Sequence, residues 1–394
     1  MIARHGFASF RPLCYNEPIE FYCGVTLTAN LLDYIAWRGD LPLTSVPFGA
    51  VDAMILAQLS YIDFTGIAPS DVTPDGILLA QAAHALLSAP GADAHLGVMQ
   101  EKNRSLLLAA SRSIRFCTLR LCGVRSECDD ALTLQFAAMT ACLPDGSAAV
   151  CFRGTDNTLT GWKEDLNMSY MCPVPAQEMA AAYLSRVSHA LSRPLHVLGH
   201  SKGGNLAVYA GAFTPDAVQA QVRDVYSFDG PGLPLERLRT DGYLAVRDRL
   251  RLFVPRTSIV GMLLAHDACF TVVRSDALLT HQHSLFSWQV LGAAPVAESE
   301  PDAASRYINE TIDRWLETLP TEDRERFIDA LFELLRASGA TTLKELSSNL
   351  HAGAPAMAAA FARLDTPSRL VLVKGVKELA SAALSVLPRP EKPA

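Results

Sequence analysis

The sequence predicts an α/β fold: a mostly parallel sheet covered by helices on both faces, with helical additions at each end. Three observations carry this. Between residues 113 and 290, short β-rich runs alternate with helical ones, the pattern of a sheet wrapped by crossover helices. The stretches 20–110 and 300–394 read mainly as helix. One strand-to-helix junction, LHVLGHSKGGNLAVYAGAF, has the residues of a sharp functional turn.

Taken in order, VDAMILAQLSYIDF spaces Val51, Ile55, Leu59 and Ile62 as on one helix face. A loop is expected between Pro69 and Pro74, then a helix from Gly76 to Leu87. SIRFCTLRL and LTLQFAAMTACL read as strands, the second closed by the turn Pro144-Asp145-Gly146. AAVCFRG, LHVLG, VYSF, RLRLFVP and CFTVV follow as further strands. RYINETIDRWLETL and RERFIDALFELLRAS carry helical apolar stripes. The proline-rich end, 388–394, is expected to fray. The expected division is a helical region 1–110 packed on the core, a core 111–295 and a helical region 296–394.

Composition limits the functions open to the chain. Its 394 residues are 49% hydrophobic and 19% charged, which supports a large core and excludes wholesale disorder. With 34 Lys and Arg against 41 Asp and Glu, the net charge of −7 argues against nucleic-acid binding. No apolar run is long enough for a membrane-spanning helix, and MIARHGFASFRPL has no signal-peptide core. The nine cysteines, odd in number and without a CxxC, fit buried thiols in a reducing cytoplasm better than disulfides. The cluster Cys117, Cys122 and Cys128 has poor spacing for a metal, and no metal or cofactor is expected.

Gly199-His200-Ser201-Lys202-Gly203 fits G-x-S-x-G. The bare pattern is weak, but here an apolar strand precedes it and small residues follow, as a nucleophile elbow requires. Such a turn is strained, so the positions two before and two after the serine must be small. The following helix aims its N-terminus at the serine oxygen, where its dipole favours negative charge. Fifty residues earlier a strand ends in Phe152-Arg153-Gly154-Thr155. An oxyanion hole in this fold pairs the N–H after the nucleophile, here Lys202, with one from an earlier strand–helix loop. Thr155 or Gly154 suits that second place, with the Thr155 hydroxyl as a further donor.

FRGT…W…DL followed by GHSKGGNLA resembles the class 3 (triacylglycerol) lipase pattern. More closely, the chain is similar to an uncharacterised bacterial, Mbeg-like family of α/β-hydrolase-like proteins. The similarity extends over Asp33–Leu41, Pro47–Phe64 and Phe253–Val290, so it covers about 30–290. It implies a serine hydrolase fold and brings no substrate.

A serine hydroxyl needs a base to take its proton. Chain order in α/β-hydrolases is serine, acid, histidine, which leaves His266, His281 and His283, with His351 in a helical stretch beyond. The resemblance favours His283, since both patterns place a histidine in the segment HSLFSWQV. His200 and His196 read as structural. For the acid, the usual class 3 position holds Arg256, Thr257 and Ser258, with no carboxylate. Asp229, at the end of VYSF, occupies an alternative acid position known in other lipase families, at a strand end where catalytic groups gather. Asp267, Asp276, or Ser258 orienting the imidazole through its hydroxyl remain open. The expected function is hydrolysis of a small-molecule or lipid-like acyl ester through an acyl-enzyme on Ser201, with no nucleic acid or integral membrane partner. Two alternatives stand beside it: a non-catalytic binding module that keeps the elbow, and a peripheral membrane protein using the helices near 305–337.

Overall fold

The computed structural model describes residues 29–386. The expected fraying of 388–394, and Cys14 and Cys23, lie outside them. The chain opens with α1 (Leu31–Arg38), capped by Asn30 with Asp33 returning the bond, and α2 (Ala50–Leu59). Every residue from Val51 to Leu59 is buried, so α2 is a core helix rather than an amphipathic surface one. After β1 (Ile77–Leu78), α3 (Leu79–Ser88) and α4 (Gln100–Arg112) complete the layer.

A nine-stranded sheet follows in the order β1-β2-β3-β4-β5-β6-β7-β8-β11. Its members are β2 (Arg120–Asp129), β3 (Leu134–Cys142), β4 (Ala148–Phe152), β5 (Leu195–His200), β6 (Val222–Phe228), β7 (Leu250–Pro255), β8 (Phe270–Val273) and β11 (Ala297–Glu298). A small hairpin, β9 (Val290–Leu291) with β10 (Ala294–Pro295), precedes β11. From β4 to β8 the strands are parallel, while β1 to β4 and β8 with β11 pair antiparallel. The crossovers of the parallel part are α5 (Leu159–Asn167), α6 (Pro175–Leu191), α7 (Lys202–Phe213), α8 (Asp216–Gln219) and α9 (Asp241–Val246). The α/β architecture read from the sequence is thus the observed one, with antiparallel strands extending both edges.

Alternate residues of the central strands feed two cores. Ala149, Cys151, Leu198 and Phe228 pack with α1–α4 on one face. Val150, Phe152, Val197 and Val225 pack with α6, α7 and α9 on the other. Beyond β11 run α10 (Ala303–Thr318), α11 (Thr321–Ala337), α12 (Leu343–Arg363) and α13 (Thr366–Val386). Phe327, Ile328, Val371 and Leu372 form a third cluster that reaches Leu159 of α5. Among the described residues no helix is long and apolar enough to cross a membrane.

One strand expectation needs correction. The first half of SIRFCTLRL is a turn after α4, and β2 begins only at Arg120. Phe116 and Leu119 are buried there, but Ile114 is exposed, and the residue between Ile114 and Phe116 is a buried cation. Arg115 is 1% exposed and binds Asp52 through Nε and Nη2, both at 2.6 Å. Its remaining donors reach the carbonyls of Leu41, Val46 and Pro47. Asp52 also accepts from the Tyr34 hydroxyl at 3.0 Å and the Gly49 N–H at 2.9 Å. The cysteines, too, are less uniform than expected: Cys122 is buried, Cys117 half-buried and Cys128 exposed, all free.

This ion pair gives a stability test. Asp52→Ala leaves the buried Arg115 guanidinium unpaired, and should lower the unfolding free energy by about 3–5 kcal/mol in urea titration. The double substitution Asp52→Ala/Arg115→Met should recover part of that loss; a double variant weaker by the sum of both singles would show that the pair is not the unit.

Candidate active site

The turn after β5 has the geometry of a nucleophile elbow. Ser201 sits at φ +58°, ψ −132°, a conformation unfavourable for a residue with a Cβ. Two glycines make room for it. A Cβ on Gly199 would lie 2.1 Å from the Gly203 carbonyl oxygen, and one on Gly203 would lie 2.2 Å from the Phe152 carbonyl oxygen. The Ser201 N–H is tied to the Phe228 carbonyl at 2.9 Å, and its carbonyl accepts from Gly204 at 2.8 Å as α7 begins. Lys202 is the first residue of α7, so its backbone N–H has no acceptor within the helix.

Thr155 follows β4, whose Phe152 pairs with Gly199 of β5, so the two strand ends lie side by side. Thr155, Ser201 and Lys202 line one cavity of about 470 Å³. The Thr155 hydroxyl is not a free donor as expected: it donates to Asp165 Oδ2 at 2.5 Å. Burial pushes the Asp165 carboxyl up to about 6, against the opposing pull of Lys202 and of the Thr155 hydroxyl. The Lys202 ammonium is itself buried, bonding Gln135 O at 2.8 Å, Gln135 Oε1 at 2.7 Å and Glu164 Oε2 at 2.9 Å. Glu164 also accepts from the Gln135 and Ala176 N–H groups, which joins β3, α5, α6 and α7 at one point.

Asp229 follows β6 at φ +50° and is 1% exposed. Its Oδ2 lies 2.6 Å from His283 Nδ1. Its Oδ1 accepts from the Ser258 hydroxyl at 2.5 Å and the Gly261 N–H at 3.1 Å. A Cβ on Gly261 would lie 2.3 Å from Oδ1, so this contact needs glycine. Ser258 therefore holds the carboxylate, not the imidazole, contrary to the reading that set it against the histidine directly. His283 and Ser201 line the same cavity, and among the described residues Ser201 Oγ makes no side-chain hydrogen bond.

Of the rival residues, only His281 shares this cavity. His266 borders a separate small pocket behind Pro231 and Leu233. His281 lines the cavity mouth but is exposed, and His351 is exposed on α12. Asp267 is exposed and pairs with Arg247 at 3.3 Å, and Asp276 is exposed. His196 packs on the Phe48 ring at 4.7 Å and lies 3.3 Å from Asp224.

The rest of the cavity wall is largely apolar and comes from outside the sheet. Trp162, Leu166 and Met168 belong to α5 and its end, and Trp315, Leu316, Phe327 and Ile328 to α10 and α11. Arg324 also lines it, but its donors are taken by the carbonyls of Leu319, Leu316 and Ser169. Neither the contribution of α10 and α11 nor the Ser258 and Gly261 contacts to Asp229 could be read from sequence, because each partner lies far away along the chain.

A family model described as Mbeg1-like matches residues 110–333. No curated protein matches the chain. Among solved structures, a crystal structure of M37 lipase is 13% identical, covering 54% of this chain and 69% of that one, with a TM-score of 0.33.

The Asp165 carboxyl has a pH signature. Its folded-state value lies above that of an unfolded aspartate, so the folded state binds the proton more tightly. The stability this confers is complete below about pH 4 and is lost as the pH rises to about 6. Asp165→Asn should therefore raise stability by about 1–2 kcal/mol at pH 8, the side chain being 24% exposed, and leave it unchanged at pH 4. An equal effect at both values, measured by urea unfolding, would contradict the cause given for the shift.

Proposed function

The chain belongs to the Mbeg1-like family, and we propose that it is a serine hydrolase that cleaves a carboxylic ester with an apolar acyl chain. The observation that carries this reading is that Ser201, on a strained elbow, and His283 line one cavity, with a buried Asp229 behind the imidazole, 2.6 Å from His283 Nδ1. A carboxylate on Nδ1 fixes the proton there and leaves Nε2 free to act as base.

In the proposed cycle, Ser201 Oγ attacks the acyl carbon while His283 Nε2 takes its proton. The negative charge that forms on the acyl oxygen is met by the N–H of Lys202, at the N-terminus of α7, and by that of Thr155, in the loop after β4. The ester C–O bond then breaks, and His283 returns the proton to the departing alcohol. Water, deprotonated by the same imidazole, attacks the acyl-enzyme; the bond from the acyl carbon to Ser201 Oγ breaks, His283 returns the proton to Oγ, and the acid leaves. Asp229 remains ionised throughout and stabilises the imidazolium.

The apolar acyl preference rests on the cavity. Its charged members already have partners: Asp165 holds Thr155, Asp156 holds Thr158 and lies 3.6 Å from Arg153, and Arg324 holds carbonyls. Apolar side chains, with tryptophan, leucine, isoleucine, phenylalanine, valine and methionine among them, form most of what remains. Its volume of about 470 Å³ falls within the range of small-molecule sites. The non-catalytic alternative drew on the missing carboxylate after β7; Asp229 weakens that ground.

A fluorophosphonate probe should label the wild type and leave Ser201→Ala unlabelled. With p-nitrophenyl esters, Asp229→Asn should lower kcat by about 10³–10⁴-fold with little change in KM. Folded wild type that neither labels nor hydrolyses any ester in a butanoyl-to-palmitoyl series would favour the binding module instead.

A further inference from the structure

We propose that His200, held by Tyr61, is a positioning residue that keeps the His283 imidazole in its working orientation; this rests on the serine-hydrolase reading. His200 ends β5, one residue before Ser201, and is 6% exposed. Its Nε2 lies 2.7 Å from the backbone carbonyl oxygen of His283, and its Nδ1 lies 2.8 Å from the Tyr61 hydroxyl. A carbonyl oxygen can only accept, so Nε2 carries the proton. Nδ1 is then a lone pair, and Tyr61 must donate to it. The two neighbours thus select a single neutral tautomer. Burial, and then the charge of a protonated His283, hold His200 well below the usual histidine range.

His283 needs this support because of where it sits. It closes a short turn whose neighbours Leu278 and Leu279 are 78% and 60% exposed, with Leu279 at φ +51°. Gln282 is pinned by Thr257 and by the Trp288 indole. At His283 itself, Asp229 fixes the ring edge and His200 fixes the backbone. The two imidazoles also lie against each other, with centroids 4.5 Å apart and planes at 38°. A neutral His200 makes that contact without opposing the charge that His283 acquires in the cycle. Space for the brace is built in. A Cβ on Gly154 would lie 2.2 Å from the Tyr61 hydroxyl, so the strand end that carries the second oxyanion donor is shaped around Tyr61. Through this ring the helical N-terminal layer reaches the base.

The test compares Tyr61→Phe, His200→Phe and the double variant in the full-length protein. Each is assayed for kcat and KM with p-nitrophenyl butanoate and for the rate of Ser201 phosphonylation. His200→Phe keeps a ring against His283 but loses both hydrogen bonds. It should lower kcat and the phosphonylation rate by about 10–100-fold with KM within about twofold. Tyr61→Phe, the milder change, should lower them by a smaller factor. The double variant should be no slower than His200→Phe, since Tyr61 acts through His200. In wild type, ¹⁵N imidazole shifts should show His200 as the neutral Nε2–H tautomer from pH 5 to 8. Folded single variants that react at the wild-type rate, effects that multiply in full, or the Nδ1–H tautomer would overturn the inference alone. A wild type whose Ser201 never reacts would overturn the hydrolase reading and this inference with it.

Discussion

The backbone at residue 201 is the constraint from which the site is built. A serine held at positive φ is a local cost of order 1–3 kcal/mol, and it persists only where the surroundings over-determine it. Here they do so through contacts that leave no room for a side chain: Gly199 against Gly203, and Gly203 against the end of β4. The same interlock sets the ends of β4 and β5 side by side, starts α7 directly behind the serine, and leaves the first N–H of that helix without an intrahelical acceptor. It also turns His200 into the layer of helices that packs on the opposite face. One bend therefore fixes the serine oxygen, the first N–H donor and the residue that touches His283.

Around this bend the molecule handles buried charge consistently. Three deeply buried charged groups have their polar atoms occupied by the protein itself. Asp229 has a hydroxyl, an N–H and an imidazole; Lys202 has a carboxylate and two oxygens of Gln135; Arg115 has Asp52 and three carbonyls. Such pairs are neutral or mildly costly against apolar substitutes, but they impose direction, and removing one partner is expensive. In this chain they lock the relative placement of β3, α5, α6 and α7, and of β6 with the loop that follows β7. The Ser201 side chain lines the cavity in largely apolar surroundings.

How much of this was legible in the sequence follows from how local each signal is. The elbow was readable because its glycines and serine are neighbours, and Asp229 because it sits directly after an apolar strand. The alternation of strands and helices gave the parallel centre. Arg115 was misread as part of a strand because its partner Asp52 stands far earlier in the chain, and nothing local marks a guanidinium that will be buried. The Thr155 hydroxyl was assigned a free proton because its acceptor, Asp165, lies on the next helix. The tryptophan and phenylalanine walls from α10 and α11 read as ordinary helix stripes. In each case the missing information was a tertiary partner, not a residue preference.

The most direct measurement is a crystal structure of the wild type after reaction with diethyl p-nitrophenyl phosphate. The phosphorus should be bonded to Ser201 Oγ, with its phosphoryl oxygen accepting from the N–H groups of Lys202 and Thr155 and His283 Nε2 turned toward the ester oxygens. A phosphoryl group on another side chain, or an adduct at Ser201 whose oxygen points away from both N–H groups, would contradict the proposed site.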